Sequence, residues 1–187
     1  MSKDIWVVSD THINHTNILK FTDSEGNLIR GSKFSNTQEM DEYMLERWNS
    51  VVKPGDKVYH LGDVMFGDTN YFARFWPRFN GSKRLIVGNH DDIKYLASGG
   101  FFSKIQMWRM FPEFGLLLTH VPVHPSNLKI FAAEGEYVEG DVGSVQKTFL
   151  NIHGHIHQNA SPAGPYRNVS VEAIDYTPVN IEELRIK

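Results

Sequence analysis

Five short apolar runs recur along the chain, separated by longer polar or amphipathic stretches. Their apolar residues are mostly consecutive rather than alternating, which is typical of strands that are buried on both faces. We therefore predict five buried strands: Ile5 to Val8, Lys57 to Leu61, Arg84 to Val87, Gly115 to Leu118 and Thr148 to Ile152.

The stretch from Thr37 to Val52 has apolar residues at helical spacing and gives the clearest helix prediction. Ser35 or Asn36 can cap its first turn, in a sequence that resembles a capping box. Pro54 and Gly55 follow directly and predict its end.

Further helices are predicted between the other runs. One covers Asn70 to Phe79, where Pro77 is expected to shorten or kink it, and another follows Asp92. Strands that alternate with helices favour an α/β layered fold. A length of 187 residues favours a single domain that covers residues 1–187.

Every apolar run is followed by side chains that can bind a metal ion. In chain order they are Asp10 and His12, Asp63, Asn89 with His90, His120, and the pair His155 and His157. In α/β folds, ligands gather beyond the carboxyl ends of the strands. We therefore expect these distant segments to meet in one site.

Two of these motifs have one residue between the paired side chains, in Asp10-x-His12 and in His155-x-His157. On an extended segment such side chains point to the same face, so each pair is predicted to enter the site together. A glycine precedes three of the motifs, where it lets the backbone turn sharply and approach closely.

Composition narrows the chemistry of this site. The chain contains no cysteine, which excludes disulfides, thiolate nucleophiles and cysteine-based zinc sites. The carboxylate, amide and imidazole donors that remain suit Mn²⁺, Fe²⁺, Ni²⁺ or Zn²⁺. Seven ligands drawn from these eight side chains are too many for one tetrahedral ion, so they predict two ions that share a bridging ligand.

The net charge and the hydropathy of the chain indicate whether it binds nucleic acid or a membrane. The formal net charge is −3, whereas sequence-indifferent binding to nucleic acid usually requires a basic surface. We expect no stable nucleic-acid partner. The N-terminal residues lack the layout of a signal peptide, because Asp4 interrupts them, and no apolar run approaches the length of a membrane span. We expect a cytoplasmic protein without membrane contact, whose oligomeric state stays open.

The motifs D-x-H, G-D, G-N-H-D, H and G-H-x-H follow one another in this order from Asp10 to His157. In this pattern the chain resembles the calcineurin-like metallophosphoesterases. The stretches SDTH, WNSVVKPGDKVYHLGD and VEAIDYTPV resemble the small bacterial and phage members that lack a cap domain. The resemblance implies a four-layer α/β sandwich of two mixed β-sheets flanked by helices.

The resemblance also implies a role for each motif residue. It assigns Asp10, His12 and His157 to a first ion and Asn89, His120 and His155 to a second ion, with Asp63 as the bridge. It makes His90 the catalytic residue, which steadies the phosphoryl group or protonates the leaving oxygen. The implied cofactors are two divalent ions that convert a bound water to hydroxide. Mn²⁺ is the first choice, with Ni²⁺, Fe²⁺ or Zn²⁺ as alternatives.

One position departs from the protein phosphatases of the family. They carry a second aspartate three residues after the first, where it orients the catalytic histidine, and Phe66 occupies that position here. A protein phosphatase is therefore not favoured, and the orientation of His90 is left open.

Four histidines lie outside the motifs. His15 is a candidate for binding substrate or for supporting His12, with simple surface exposure as the alternative. His60 lies within a predicted strand and is expected in the core. His153 is expected to support the neighbouring ligands. His124, beside two prolines, is expected on a loop surface, and its proximity to His120 leaves a substrate role open.

Arg30 is a candidate for binding the phosphate of the substrate, as are Lys33 and Arg167, although exposed basic residues are more often simply solvated. Four aromatic residues are expected to build core rather than to stack on nucleobases: Phe101, Phe102, Trp108 and Phe111.

These inferences predict a dinuclear phosphoesterase for a small phosphodiester or nucleotide, with phosphomonoesters as the next choice. Two alternatives stay open. One is a nuclease of the same superfamily, which would require a basic, aromatic-lined groove. The other is a non-catalytic metal-binding interaction scaffold. The acidic, glycine-rich segment from Ile130 to Lys147 is either a solvated loop or a lid over the site.

Overall fold

The computed structural model describes residues 3–131 and 145–185. Its strands are β1 (Ile5–Val8), β2 (Lys57–His60), β3 (Ser82–Ile86), β4 (Lys104–Gln106), β5 (Arg109–Phe111), β6 (Leu116–Leu118), β7 (Lys129–Phe131), β8 (Val145–Thr148), β9 (Leu150–His153), β10 (Tyr166–Asn168) and β11 (Val179–Asn180). Its α-helices are α1 (Thr37–Val51), α2 (Thr69–Phe75), α3 (Ile93–Ser98) and α4 (Ile181–Leu184). Short 3₁₀ helices cover Thr16–Lys20, Trp76–Arg78, Pro125–Leu128 and Val171–Ile174.

The strands form two mixed sheets and a separate pair. The first sheet has the order β11-β1-β2-β3-β4, in which β1 to β4 are parallel and β11 is antiparallel to β1. The second sheet has the order β10-β9-β6-β5, in which β5 is antiparallel to β6 and the other pairs are parallel. Strands β7 and β8 pair with each other in antiparallel fashion. The predicted α/β sandwich of two mixed sheets is confirmed.

Successive residues of the central strands face two different cores, as the alternation of side chains along a strand requires. Val8 and Leu85 pack in one core with buried residues of α1 and α2. Val7 and Ile86 pack in a second core with residues of the other sheet, such as Ile152. Both faces of the first sheet are therefore covered, which explains why its apolar runs are continuous.

A third, smaller cluster covers the outer face of the second sheet. Leu117 of β6 packs there with Phe149 and with Leu128, which ends the 3₁₀ helix Pro125–Leu128. Helical segments therefore flank both sheets, in the four layers that were predicted.

Helix α1 follows its prediction closely and ends one residue earlier. Asn36 Oδ1 accepts a hydrogen bond from the Glu39 backbone N–H at 2.8 Å. The Glu39 carboxylate in turn accepts one from the Ser35 backbone N–H at 2.8 Å. Both cap candidates are therefore used, because the reciprocal bond of the capping box reaches Ser35.

The other two predicted helices are also present. Helix α2 ends at Phe75, and the 3₁₀ helix Trp76–Arg78, which contains Pro77, replaces the rest of the predicted segment. Asp92 begins α3, because its carboxylate accepts a hydrogen bond from the Tyr95 backbone N–H at 2.9 Å.

All five predicted strands exist, although β3 begins two residues earlier and β9 two residues later than predicted. The strands that were not predicted are β4, β5, β7, β8, β10 and β11, which have two to four residues each. Such short segments carry too few positions for a hydrophobic period to be recognised.

Two further predictions concern the surface. Residues 132–144 lie outside the described residues, so the interpretation of Ile130 to Lys147 as a loop or a lid stays a prediction. Within the described ranges, no helix combines the length and the hydropathy that crossing a membrane requires.

Candidate metal centre

The loops that follow five strands meet at one edge of the sandwich. The loop after β1 is bonded to the loop after β2, since the His12 backbone N–H donates to the Asp63 carbonyl at 3.0 Å. The loop after β9 is bonded to the loop after β6, since the Gly154 backbone N–H donates to the His120 carbonyl at 2.8 Å. The structure thus brings together segments that are far apart in the sequence.

Most of the converging residues do not lie on extended backbone. Asp10, His12, Asp63, His155 and His157 have φ angles between 49° and 70°, in the left-handed region. The spacing predicts that Asp10 with His12, and His155 with His157, lie on extended segments that point both side chains to one face. This prediction is therefore wrong. Each left-handed non-glycine residue costs on the order of 1 kcal/mol, and such strain concentrates at functional sites.

Two glycines allow the loops to approach this closely. A Cβ atom at Gly88 would overlap the Asp63 carboxylate. A Cβ atom at Gly154 would overlap the Ser9 hydroxyl and the Asp10 carboxylate. A side chain at either position would therefore push the converging loops apart.

The first group of candidate ligands, which we call the first half-site, consists of Asp10, His12 and His157. Each offers an atom within 4.8 Å of the others. Asp10 Oδ2 accepts hydrogen bonds from the Ser170 hydroxyl and the His155 backbone N–H, both at 2.9 Å. Asp10 Oδ1 and His12 Nε2 are buried and have no hydrogen-bond partner among the described residues. Because buried polar atoms are normally paired, these two fit the binding of a cation.

The second group, which we call the second half-site, consists of Asp63, His120 and His155, whose atoms also lie within 4.8 Å of one another. Asn89 joins it, with Oδ1 2.8 Å from His120 Nε2. His120 Nδ1 lies 2.7 Å from the Leu61 carbonyl oxygen, to which it donates. Burial by itself would lower the pKa of His120, but Asp63 outweighs it and raises the pKa. When the ring is neutral in this tautomer, the lone pair of Nε2 points towards the Asn89 oxygen, an arrangement that a cation between them would satisfy.

Asp63 lies between the two half-sites. Its Oδ2 atom is 3.8 Å from His12 Nε2 and 3.5 Å from His120 Nε2. Burial by itself would raise the pKa of Asp63, but the adjacent His120 outweighs it and holds the pKa below its usual range. One ionised carboxylate therefore faces an imidazole from each half-site.

The histidines differ in how readily they stay neutral, which binding to a metal requires. Burial lowers the pKa of His12 well below its ordinary value, and the positive charge of Arg30 adds to this. Burial, followed by the neighbouring His120, also lowers the pKa of His155. Burial acts in the same direction on His157, but the Glu172 carboxylate outweighs it and raises the pKa.

A buried ion pair lies behind the first half-site. Arg30 is 0% exposed, and its Nε donates to Glu172 Oε1 at 2.7 Å. The same Glu172 oxygen is 3.0 Å from His157 Nδ1. The other donors of Arg30 reach the carbonyl oxygens of Asp10 at 2.6 Å and Thr11 at 3.0 Å. Glu172 thus orients His157, while Arg30 holds the loop that carries Asp10.

This placement corrects the prediction that Arg30 binds the phosphate of a substrate, because its side chain does not reach the surface. Lys33, a further candidate, contacts Asp175 at 3.2 Å instead. Glu172 was not singled out from the sequence. The signal lay in the stretch VEAIDYTPV, which carried part of the resemblance and contains Glu172 as its only glutamate.

His90 lies beside the half-sites with an exposed side chain. Its backbone N–H donates to Asp63 Oδ1 at 2.9 Å, and its ring is 6.3 Å from the ring of His12. Phe66 contacts the His90 ring edge-on at 5.8 Å and stacks on His15 at 4.4 Å. An aromatic ring therefore packs against His90 where the protein phosphatases of the family have an aspartate.

His15 is 9% exposed and touches the first half-site. Its Nδ1 lies 3.2 Å from His12 Nδ1. Burial, followed by the charge of Arg30, lowers the pKa of His15 to about 4. This contact favours the reading in which His15 supports His12, and the direct substrate contact stays a prediction.

Asp91 and Asp92, which follow His90, have structural roles. Asp91 accepts hydrogen bonds from the backbone N–H groups of Gly88 at 2.8 Å and Val64 at 2.9 Å. It therefore ties the loop after β3 to the loop after β2. Asp92 caps α3. The polar run after β3 thus combines a candidate ligand, an exposed histidine, a clamp between loops and a helix cap.

The remaining histidines lie where neighbouring groups can form hydrogen bonds with their rings. His60 is buried in the core as predicted, with Nε2 2.9 Å from the Thr11 hydroxyl. His124 is exposed on a loop as predicted and contacts Ser126. His153 is buried, and it contacts Ser161 at 3.0 Å and the carbonyl of Gly154, which precedes His155.

The aromatic residues follow the core prediction with one exception. Phe111 is buried, and Phe101 and Phe102 pack against the first core. Trp108 is 61% exposed, so its assignment to the core is wrong. It lines a cleft that also contains Asn89 of the second half-site.

A family model and two known proteins match this chain in sequence. The family model described as calcineurin-like phosphoesterase matches residues 3–183. An uncharacterized protein of Methanocaldococcus jannaschii is 30% identical over 189 aligned positions, which cover 96% of this chain and 88% of that protein. The Gene 66 protein of Mycobacterium phage L5 is 36% identical over 89 residues, which cover 46% of this chain and 39% of the phage protein.

A solved structure has the same architecture. The crystal structure of AQ665 from Aquifex aeolicus, described as a protein of unknown function, superposes with a TM-score of 0.67. The two chains are 27% identical, and the superposition covers 98% of each. The similarity therefore extends over the whole sandwich, including the edge where the loops converge.

Proposed function

Because the chain belongs to the calcineurin-like phosphoesterase family, we propose that it hydrolyses a small phosphodiester or a nucleotide at the two half-sites. Metal-dependent hydrolysis of phosphoesters is the chemistry that this family implies, and a phosphomonoester is the next choice of substrate. The donor set, made of carboxylates, imidazoles and one amide, agrees with a divalent metal.

Each half-site would hold one divalent ion. Asp10, His12 and His157 would bind the first ion, and His120, His155 and Asn89 the second, with Asp63 shared between them. When bound, such ions lower the pKa of water and offset the negative charge of phosphate oxygens. Mn²⁺ is the first choice, and Ni²⁺, Fe²⁺ or Zn²⁺ suit the same ligands.

The proposal is carried by the position of Asp63 Oδ2. This oxygen faces His12 Nε2 at 3.8 Å and His120 Nε2 at 3.5 Å, and His12 Nε2 is buried without a hydrogen-bond partner among the described residues. One imidazole nitrogen from each half-site therefore approaches this carboxylate oxygen. A carboxylate that is shared between two cations requires such ligands on both of its sides.

His90 would provide the proton that the reaction needs. Hydrolysis forms a P–O bond from the oxygen of water and breaks the P–O bond to the leaving group, whose oxygen must then be protonated. The exposed His90 ring can donate this proton, or a hydrogen bond to the phosphoryl group. Its backbone bond to Asp63 and its contact with Phe66 fix its place beside the half-sites.

Metal restoration tests this function. The protein is stripped of metal, and Mn²⁺, Ni²⁺, Zn²⁺ or Mg²⁺ is returned singly, with bis-p-nitrophenyl phosphate and p-nitrophenyl phosphate as substrates. We expect turnover to return with at least one ion and the diester to be cleaved faster than the monoester. Equal rates with and without metal would refute the proposal.

The alternative functions give different results in the same assay. A nuclease would cleave short oligonucleotides faster than mononucleotides, with binding that weakens steeply as salt rises. A non-catalytic scaffold would bind the ions and leave every phosphoester intact.

A further inference from the structure

A cleft of about 710 Å³ opens beside the second half-site. Asn89 and His120 belong to its lining, and so do the apolar residues Met107, Trp108, Met110 and Val121, which we call its wall. A volume of this size lies within the range of small-molecule sites, which is roughly 300–1,000 Å³. The cleft is therefore continuous with the proposed ion site and large enough for the organic part of a phosphoester.

The wall of this cleft exposes apolar surface to an unusual degree. Met107 is 62% exposed, Trp108 61%, Val121 42% and Met110 39%. Single exposed apolar residues are common, but a group of them around one concave site marks a place where an apolar ligand or partner binds. Exposed tryptophan and methionine side chains also adapt well to flat aromatic groups, through stacking and sulfur contacts.

Polar groups in the cleft are few and uncharged apart from its end at the half-site. Thr119 and Asn127 belong to the lining. The Thr119 hydroxyl donates to the Val121 carbonyl at 2.6 Å, whereas Asn127 supplies a carboxamide, which can both donate to and accept from the edge of a heterocycle. Among the described lining residues there is no lysine or arginine. A polynucleotide would require such cations along its backbone.

We propose that this cleft binds the nucleobase of a nucleotide substrate, with the base stacked on Trp108 and the phosphate at the half-sites. The inference rests on the proposed function and names its substrate class as a mononucleoside phosphoester. Continuity with Asn89 and His120 links the aromatic wall to the phosphate site. The absence of basic lining in the described part favours one nucleoside over a strand of nucleic acid.

Binding of adenosine tests the base site separately from the proposed hydrolysis. Adenosine carries a base and has no phosphate that could be hydrolysed. Binding of adenosine and of ribose to the metal-loaded protein is measured by calorimetry and by the emission of tryptophan. We expect adenosine to bind and to change the emission, and ribose to give neither signal. In Trp108→Ala the Kd for adenosine should rise about tenfold, as expected for the loss of one stacked base.

Two variants serve as controls. Trp108→Phe keeps a flat ring and should restore the Kd to within about threefold of the wild type. Leu28→Ala truncates an exposed apolar side chain, 42% exposed, outside the cleft, and should leave the Kd unchanged. Adenosine that binds no better than ribose, or a Kd unchanged in Trp108→Ala, would overturn the assignment of the cleft.

The same experiment distinguishes other outcomes. If metal-dependent hydrolysis is present and adenosine does not bind, the cleft assignment is overturned and the proposed function stands. If adenosine binds through Trp108 and no phosphoester is cleaved, the proposed function is overturned and the base site stands. If Trp108→Ala instead converts a dimer to a monomer in light scattering, with the Kd unchanged, the wall belongs to an interface and the proposal is overturned.

Discussion

The two half-sites have similar ligands and different surroundings. Behind the first half-site, Glu172 and Arg30 form a buried ion pair that orients His157 and the loop of Asp10. Behind the second half-site, a backbone carbonyl orients His120, and an apolar cleft opens beside it. We infer from this contrast that a buried pair of charged side chains supports the first half-site, whereas the main chain supports the second, and a cleft adjoins each of them.

The surroundings also make the two half-sites sensitive to different changes. The first half-site depends on side chains that can be replaced, because Glu172 and Arg30 act through their charges. The second half-site depends on main-chain geometry, since the partner of His120 is the Leu61 carbonyl. Substitutions should therefore weaken the two half-sites separately, except at Asp63.

Asp63→Ala should give the largest effect, because it removes the carboxylate that faces both half-sites. We expect turnover of bis-p-nitrophenyl phosphate to fall at least a thousandfold, roughly the loss that accompanies removal of a two-metal clamp. Bound metal, counted by elemental analysis, should fall in both half-sites. Asp23→Ala, at a partly exposed aspartate that belongs to neither half-site, should retain both. An Asp63→Ala protein that keeps its metal and its turnover would contradict a shared ligand.

His90→Ala should give the next largest effect while leaving both half-sites intact. Loss of a general acid typically costs a factor of about 10²–10⁴ in kcat for a substrate whose leaving oxygen needs a proton, such as a nucleotide ester, and the metal content should stay at the wild-type level because His90 belongs to neither half-site. The matched control is His124→Ala, which removes an exposed imidazole from a loop. Loss of metal together with activity in His90→Ala would instead identify His90 as a ligand.

Glu172→Gln should weaken the first half-site selectively. The neutral amide still fills the space but no longer neutralises Arg30 or holds His157 by a charged contact. Loss of such a supporting carboxylate lowers metal affinity by about 10–100-fold, and a two-site titration should assign this loss to one ion. Glu42→Gln, which removes a carboxylate paired with Arg78 on the surface, is the control. Equal weakening of both ions would remove the distinction between the half-sites.

Asp41→Asn should have the smallest effect on turnover and a clear effect on the pH dependence of stability. Asp41 is buried and accepts a hydrogen bond from the Asn14 backbone N–H at 3.0 Å. Burial raises its pKa to about 7, so between pH 4 and 7 the folded protein binds more protons than the unfolded chain. The contribution of Asp41 to the free energy of unfolding therefore decreases as the pH rises through this interval.

Denaturant titrations at pH 5 and pH 8 check this prediction. The wild type should lose stability relative to Asp41→Asn between the two pH values, by about 1.4 kcal/mol for each pH unit from pH 5 up to the raised pKa of the carboxyl. A constant difference between the two proteins across this range would mean that Asp41 ionises freely in the fold.

Much of the fold could be predicted because its strands are buried on both faces. Continuous apolar runs such as Ile5 to Val8 and Arg84 to Val87 report this burial directly. The edge strands could not be predicted in the same way, since β4 and β10 have three residues each. Their pairing depends on neighbours that are distant in the sequence, such as β9 for β10.

The candidate site, like the fold, could be predicted only in part. The order of the motifs indicated which side chains to examine, but their spacing gave the wrong reason for their convergence, because left-handed backbone at Asp10 and His12 aims these side chains. A basic residue such as Arg30 resembled a phosphate ligand until its burial against Glu172 was known. Trp108 resembled a core residue because hydrophobicity predicts burial only on average.

The sequence by itself therefore determined the fold class, the family and the identity of the polar residues that follow the strands, because local pattern and residue chemistry are written along the chain. The tertiary structure alone decided which oxygen of Asp63 faces both half-sites, that Glu172 and Arg30 support the first of them, and that Trp108 opens onto the second. These relations are distances between residues up to 142 positions apart, and such distances are set by how the two sheets pack rather than by any local propensity.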